Sequence, residues 1–329
     1  MTGHDIITGG AGFIGSHLVE ALIKAGRDVV VIDNFSTGRL ANLDFLGVPK
    51  TLKIVEADIN DTAKIESYFK NAERVFHIAA LADLVPSVQN PAPYYYANVN
   101  GTFNILQLAR AAKIRKMIYV ASSTCYGIPD KYPTIETAPT DPRYPYALTK
   151  YLGEQLAMHW ARVYDLPCTS LRFFNVYGPR SRTSGIYGAV FGVFLAQILN
   201  NQPLTIVGDG NQTRDFTYVT DVVDSILFAA DHGKSGEVYN VGSGNPVSVN
   251  KIVELLSAKS TVHMPKRPGE PDCTHADITK IQALGWRPKV PIEKGVQNML
   301  AQIDYWREAP VWTPDSIANA TADWFKYVK

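Results

Sequence analysis

Tyr146 and Lys150 stand four residues apart in the run Tyr144-Pro145-Tyr146-Ala147-Leu148-Thr149-Lys150. On a helix that spacing puts both side chains on one face. An ammonium held near a phenol favours the phenolate, and a phenol with a lowered pKa is a usable acid/base at neutral pH, where an ordinary tyrosine, with a pKa of about 10, is not. The pair is therefore a candidate for moving a proton, with Tyr146 as the base and Lys150 lowering its pKa.

A second constellation lies at the start of the chain. Ile6 and Ile7 end a short apolar run, and a helical pattern begins at Phe13 and Ile14 and continues through Leu18 and Leu22. Gly9, Gly12 and Gly15 fall between them. Glycines in a strand-to-helix turn let the backbone bend tightly, approach a pyrophosphate and pack helix on strand. The helix start then offers free N–H groups to phosphate. A second apolar run, Val29-Val30-Val31-Ile32, ends at Asp33. An acid about 20 residues past the glycines is placed for the adenosine ribose hydroxyls and disfavours a 2′-phosphate, so the pattern predicts NAD rather than NADP. Asn34, Ser36, Thr37 and Gly38 follow as further cofactor candidates, and Arg39 is a mild counter-signal.

Elements of a doubly wound sheet would hold these groups together. Strand-like runs occupy 5–8, 28–32, 52–56, 74–78, 116–121 and 167–173, and helical patterns occupy 13–24, 62–69, 94–112 and 146–164. Such alternation predicts an α/β fold with a parallel Rossmann-type sheet, whose ligands lie beyond the carboxyl ends of its strands. After Tyr177 the alternation breaks. A Pro/Gly-rich stretch, an apolar helix at 189–199 and a strand at 204–207 precede an apparent return to the first lobe at 219–232 and 238–241. The expected division is a dinucleotide domain at 1–176 with about 215–242, and a smaller discontinuous substrate lobe at 177–214 and 243–329.

Composition narrows the class. In 329 residues, a net charge of +1 argues against nucleic acid or an anionic membrane as partner. No run of 18 apolar residues suggests a membrane span. The chain opens directly on a strand without a basic-then-apolar leader. Cys125, Cys168 and Cys273 are far apart and form no zinc-like cluster, so no metal is expected, and the odd count fits reduced thiols in a cytoplasm.

Together the glycine turn, Asp33 and Tyr-x-x-x-Lys resemble the extended short-chain dehydrogenase/reductase family, in its nucleotide-sugar branch, over nearly the whole chain. The resemblance implies that Ser122, in Ser122-Ser123-Thr124-Cys125-Tyr126-Gly127, is the catalytic hydroxyl, with Thr124 as a second. It implies that Asp58 and Ile59 contact adenine, that Ala79, Ala80 and Ala82 wall the ribose and pyrophosphate, and that Asn98 holds the site's hydrogen bonds. Phe173 and Val176 belong to Leu171-Arg172-Phe173-Phe174-Asn175-Val176-Tyr177-Gly178-Pro179, which resembles the segment closing over the nicotinamide, with Asn175 offered to the substrate diphosphate. Arg214, in Gly208-Asp209-Gly210-Asn211-Gln212-Thr213-Arg214-Asp215-Phe216, and Arg267, in Pro265-Lys266-Arg267-Pro268-Gly269-Glu270, resemble the two anion anchors. Asp83, Ser87, Ser123, Ala189, Val190 and Thr205 complete the substrate candidates. The aromatic C-terminal segment is read as a packing staple. By the same resemblance the two long helices pair across a two-fold axis in a homodimer.

Among the reactions of this branch, the 4,6-dehydratases carry Asp-Glu where this chain has Ser123-Thr124, and the uronate decarboxylases place Glu at the position of Thr124. A 4-epimerase needs no further acid. The expectation is an NAD-dependent nucleotide-sugar 4-epimerase; the alternatives are a 4,6-dehydratase or keto-sugar reductase, and last a non-catalytic NAD-binding module. Asp83 departs from the Gly or Ser usual in related epimerases. An acid there suits sugar hydroxyls and repels a uronate.

Overall fold

The computed structural model describes residues 3–44, 47, 49–181 and 190–329. Its centre is a seven-stranded parallel sheet. The first three strands are β1 (His4–Thr8), β2 (Val29–Asp33) and β3 (Leu52–Glu56), followed by β4 (Ala72–His77), β5 (Lys116–Ser122) and β6 (Cys168–Phe173). With the strand Val238–Val241 on the outer side of β6, the order across the sheet is Val238–Val241, β6, β5, β4, β1, β2, β3. The chain winds outward from β1 in one direction and from β4 in the other. A crevice therefore opens above the β1/β4 boundary, where such sheets take their ligands.

β2 and β6 are buried at every position, as strands covered on both faces must be. One apolar cluster packs Ile7, Leu18, Val31 and Ile118 with Val222 and Ile226; another packs Ile6, Ile32, Ile105, Met117 and Trp160 on the opposite face. The first of these layers contains α1 (Phe13–Lys24) and, later in the chain, a helix at Val219–His232. The second contains α2 (Thr62–Ile65), α5 (Gly101–Ala111) and α6 (Pro145–Val163), while α3 (Leu84–Gln89) and α4 (Pro91–Tyr95) pack against α6 and Val85 of α3 joins the cluster that fills the region after β6. Pro145 opens α6 in its first turn, where its missing N–H is not needed.

The single helix expected at 94–112 is three pieces. α4 gives way to a π-turn over Tyr96–Asn100, and α5 follows. A third cluster, including Phe194, Leu204, Ile206, Val296, Met299, Trp306 and Trp324, fills the region after β6. There α7 (Val190–Leu199), the parallel pair Leu204–Val207 and Thr261–Met264, and the C-terminal helix Pro314–Tyr327 come together. Among the described residues, no helix is long and apolar enough to cross a membrane.

Candidate active site

The glycine turn meets the β4 loop at the switch point. A Cβ on Gly9 would stand 2.7 Å from the Ala79 nitrogen, and Gly9 has φ +73°. A Cβ on Gly15 would lie closer still to the Gly9 carbonyl. Side chains are thus excluded where a pyrophosphate must approach the backbone. Gly12 caps α1 without any side-chain hydrogen bond to the first turn, which leaves that end to an anion. At the end of β2, the buried Asp33 carboxylate accepts from the Ala11 N–H (2.9 Å) and the Phe35 N–H (2.9 Å). It lies against Gly38, where a Cβ would come within 2.9 Å of both its oxygens. Burial raises the Asp33 pKa and the two N–H donors oppose the rise. Asn34 donates to Asp58 at 2.9 Å, so the second and third strand ends form one rim. The Arg39 guanidinium lies over the Tyr305 ring, 4.8 Å from its centroid, and hydrogen-bonds the Tyr305 hydroxyl. These residues fit a dinucleotide with free ribose hydroxyls.

Ser122 ends β5, and a short 3₁₀ turn brings Thr124 back over it. The Thr124 hydroxyl donates to Ser122 Oγ at 2.9 Å, and its backbone N–H donates to the same oxygen at 3.3 Å. The Ser122 proton is then available to the Tyr146 phenol, with which Ser122 hydrogen-bonds. This run of hydroxyls, Thr124 to Ser122 to Tyr146, is assembled from a strand end, a turn and the first turn of α6.

The Tyr146 pKa is raised in the free protein, not lowered as the pairing with Lys150 predicts. Burial raises the Tyr146 pKa; the Ser122 hydrogen bond opposes this, and the Asp83 carboxylate and Cys125 add to it. The Lys150 ammonium stands 4.6 Å from the centroid of the Tyr119 ring. Burial lowers its own pKa to about 7, against the favourable charge of Glu154 one turn further on. Four residues on a helix share a face, and both side chains leave α6 toward β5, Tyr146 to Ser122 and Lys150 to the Tyr119 ring. Ser122 is the group that favours the Tyr146 phenolate.

Asn98 sits in the π-turn, fully buried. Its amide oxygen accepts from the Leu81 N–H (2.8 Å), and its amide nitrogen donates to the Leu81 carbonyl (3.0 Å) and to Thr149 Oγ1 (3.0 Å). It therefore ties the loop after β4, which carries Ala79, Ala80 and Ala82, to α6. Phe173 is buried at the end of β6 and Val176 half-buried just beyond. Asn175, exposed between them, accepts from the Thr274 hydroxyl at 2.8 Å.

Beyond Tyr146 the cleft becomes cationic. Arg267 pairs with Glu270 at 3.1 Å. Arg214 is close enough for Glu270 to favour its charge and Arg267 to oppose it, and burial, the largest effect, lowers its pKa. The Tyr144 phenol lies within electrostatic reach of Glu270, Tyr146, Arg214 and Arg267 together. Trp324 of the C-terminal helix packs on the Tyr144 ring (5.0 Å between centroids) and donates to the Pro268 carbonyl at 2.9 Å. The aromatic tail is thus a staple, and what it staples is the cleft wall. Tyr144 and Trp324 were not among the expected site residues. The first was visible as the aromatic two residues before Tyr146; the second had no local signal.

Two candidates do not present their side chains to this space. Ser87 is fully buried and donates to the Leu84 carbonyl at 2.6 Å inside α3. Thr205 is buried on Leu204–Val207, its hydroxyl and N–H both engaged by the Gln197 amide of α7. In each case a helical back-bond or a core amide satisfies the hydroxyl that the sequence offered to substrate. Asp83 precedes α3 in extended conformation, and Ser123 and Val190 are half-buried. Ala189 lies outside the described residues.

Residues 6–242 match the NAD dependent epimerase/dehydratase family. The chain belongs to that family. It is 38% identical over 302 residues to a putative UDP-glucose 4-epimerase of Methanocaldococcus jannaschii, spanning 90% of this chain and 96% of the relative. The UDP-glucose 4-epimerase of Thermotoga maritima, solved with UDP-glucose, superposes with a TM-score of 0.85 at 36% identity, over 93% of this chain and 99% of that one. The Thermus thermophilus UDP-glucose 4-epimerase, solved with NAD, gives 0.82 at 32% identity, over 93% and 100%. The protein is an enzyme of a family that works with NAD, and the Gly9 cradle, the bare α1 start and Asp33 fit that cofactor.

Proposed function

We propose that this enzyme is an NAD-dependent nucleotide-sugar 4-epimerase acting through a transient 4-keto sugar. The observation that carries the reading is the hydroxyl run from Thr124 through Ser122 to Tyr146, with no carboxylate at positions 123 and 124. A 4,6-elimination needs an acid and a base beyond C4, and those two positions supply only hydroxyls. Bound NAD would supply the hydride acceptor and donor that C4 needs.

The chain's own residues do the rest. Tyr146 removes the 4-hydroxyl proton and later returns one to the same oxygen. Ser122 donates to that oxygen and steadies charge as it develops. Lys150, with Asn98 and Thr149 behind it, holds the nicotinamide ribose. Asp33 holds the adenosine ribose, and Ala79, Ala80 and Ala82 line the path between. Arg214 and Arg267 bind the diphosphate, since charged donors to phosphate are the strong ones; that anchor leaves the sugar free to turn about the diphosphate linkage and present either face. Residues 1–176 with about 215–242 are the cofactor domain, and 177–214 with 243–329 the sugar-nucleotide lobe.

The test is a panel of nucleotide sugars with no added reductant, each deuterated at C4. An epimerase returns both C4 epimers with the label kept, because the same hydride leaves and returns. Loss of that label to solvent would sink the mechanism; loss of the 6-hydroxyl with solvent deuterium at C6 would establish a dehydratase instead. Asp83, a negative charge acting on Tyr146, leaves uronates as the poorest substrates of the panel.

Cofactor choice follows from Asp33. The native enzyme should bind NAD well ahead of NADP, and Asp33→Ala should weaken NAD and narrow the difference. Titration calorimetry giving equal affinities for the native protein would refute the assignment.

The active form is a cytoplasmic homodimer. Tyr95, Tyr96 and Phe103 on the α4–α5 stretch are 42–55% exposed, as are Leu148 and Val163 on α6 at 44% and 50%. Adjacent helices that leave such apolar groups in water support a closed two-fold pairing. The cysteines are free thiols, which suits a reducing compartment. Light scattering should give twice the chain mass at micromolar protein, and Tyr96→Glu should shift it to the monomer; a native monomer would overturn the assembly.

A further inference from the structure

His77 is buried, ends β4, and plays no part in the chemistry described above. Its two ring nitrogens meet two threonines, with Thr8 Oγ1 2.7 Å from Nδ1 and Thr102 Oγ1 2.9 Å from Nε2. The partners of those hydroxyls settle which nitrogen carries the proton. The Thr102 hydroxyl donates to the Asn98 carbonyl at 2.6 Å, and a carbonyl can only accept. Tyr119, the other polar neighbour of Thr102, spends its own proton on the Lys150 carbonyl at 3.0 Å. Thr102 must therefore accept from Nε2–H. The ring is neutral, because burial and the nearby Lys150 charge push its pKa down to about 3. Nδ1 is then bare and accepts the Thr8 hydroxyl proton, while Thr8 accepts from the Ala79 N–H at 3.3 Å.

Every proton on this path has one direction. From the loop after β4 it runs through Thr8, His77 and Thr102 to the carbonyl of Asn98. From the Asn98 amide it continues to Thr149, whose hydroxyl donates to the Tyr146 carbonyl at 3.0 Å. The carbonyl that Thr102 grips belongs to the π-turn, where the Gly101 N–H reaches five residues back to Tyr96. Such turns are rare and are often placed at functional sites. Here the extra residue aims Asn98 at both Leu81 and Thr149, and the threonine bond fixes it.

We propose that His77, as the neutral Nε2-protonated tautomer, is a positioning residue: with Thr8 and Thr102 it clamps the Asn98 π-turn to the end of β1 and so sets the backbone of Tyr146 relative to the dinucleotide loop. The kinetic part of this proposal rests on the epimerase reading; the tautomer does not. Misplacement of a reacting group by an ångström can cost about a hundredfold in rate, so a slack clamp shows in kcat and not in ground-state binding.

Two experiments test it. In nitrogen-15 spectra of the histidine-labelled native enzyme, His77 should show a protonated Nε2 and a bare Nδ1, unchanged over about pH 5 to 8, the range in which an ordinary histidine titrates. A protonated Nδ1, or a ring that titrates in that range, overturns the proposal whatever the enzyme's substrate. In the second, Thr102→Val keeps shape and removes the hydroxyl, whereas Thr102→Ser keeps the hydroxyl. The valine variant should lose about tenfold or more in kcat with KM and NAD retention changed by less than about threefold, and serine should restore most of the loss. Wild-type kcat in the valine variant overturns the proposal, and so does equal impairment of the valine and serine variants. Should the valine variant fail to fold, the native spectrum decides alone.

Discussion

Tyr146→Phe is expected to lower kcat by about 10²–10⁴, the usual cost of losing a positioned proton-transfer group, while nucleotide sugar and NAD stay bound. The phenol lies at the end of the Thr124–Ser122 hydroxyl run, and its ring is carried by the first turn of α6, so removing one oxygen leaves the walls in place. The pH dependence follows from the groups that set its ionisation. Asp83 pushes the Tyr146 pKa up, and the Ser122 hydrogen bond pulls it down. If the phenolate is the working form, Asp83→Asn removes a repelling charge and should move the rising limb of the kcat profile to lower pH. Ser122→Ala removes the donor that stabilises the phenolate and should move it to higher pH, in addition to slowing the reaction. Shifts in the opposite sense, or an unmoved limb with both variants, would show that Tyr146 is not the group that titrates.

The two variants also separate what the sequence made visible from what it did not. Gly9, Gly12, Gly15 and Asp33 were legible because they act through local backbone, a turn and a strand end within one βαβ unit. Ser122 and Tyr146 were legible through their motifs, and the fold does bring them into hydrogen-bond contact. The raised Tyr146 pKa was not legible, because burial, its largest cause, belongs to the folded site. The i to i+4 rule fixes which face a side chain leaves from, not where a long side chain ends, and the Lys150 ammonium ends over the Tyr119 ring of β5. The partners of Ser87 and Thr205 were out of reach for a related reason: a hydroxyl in sequence does not say whether a helix carbonyl or a core glutamine has already claimed it. The π-turn at Tyr96–Asn100 lay inside what read as one continuous helix, since a single extra residue per turn leaves the apolar pattern almost intact. The Thr8–His77–Thr102 path could not be read at all, because it joins β1, β4 and α5, and only the folded sheet sets them side by side.

Lys150→Met is expected to abolish turnover and, in protein stripped of nucleotide, to make the fold more stable. The ammonium is buried, and that burial lowers its pKa to about 7, while in the unfolded chain a lysine titrates at about 10.4. Below pH 7 both states are charged and the fold bears the whole cost of burying the ion. As pH rises from about 7 to 10.4 the folded side chain has lost its proton and the unfolded one has not, so the unfolded state binds more protons and stability climbs with pH. The penalty that methionine removes is therefore largest below pH 7, on the order of 4 kcal/mol, and vanishes near pH 10.4. Thermal melts of the two proteins across that range should show the variant well above the native enzyme at pH 6 and the two curves converging toward pH 10. A variant less stable at pH 6 would mean that Glu154 and the Tyr119 ring hold the charge at no net cost. A gain at acid pH would identify Lys150 as a group kept for the reaction against the interest of the fold, since a buried cation without a full partner persists only where something other than packing requires it.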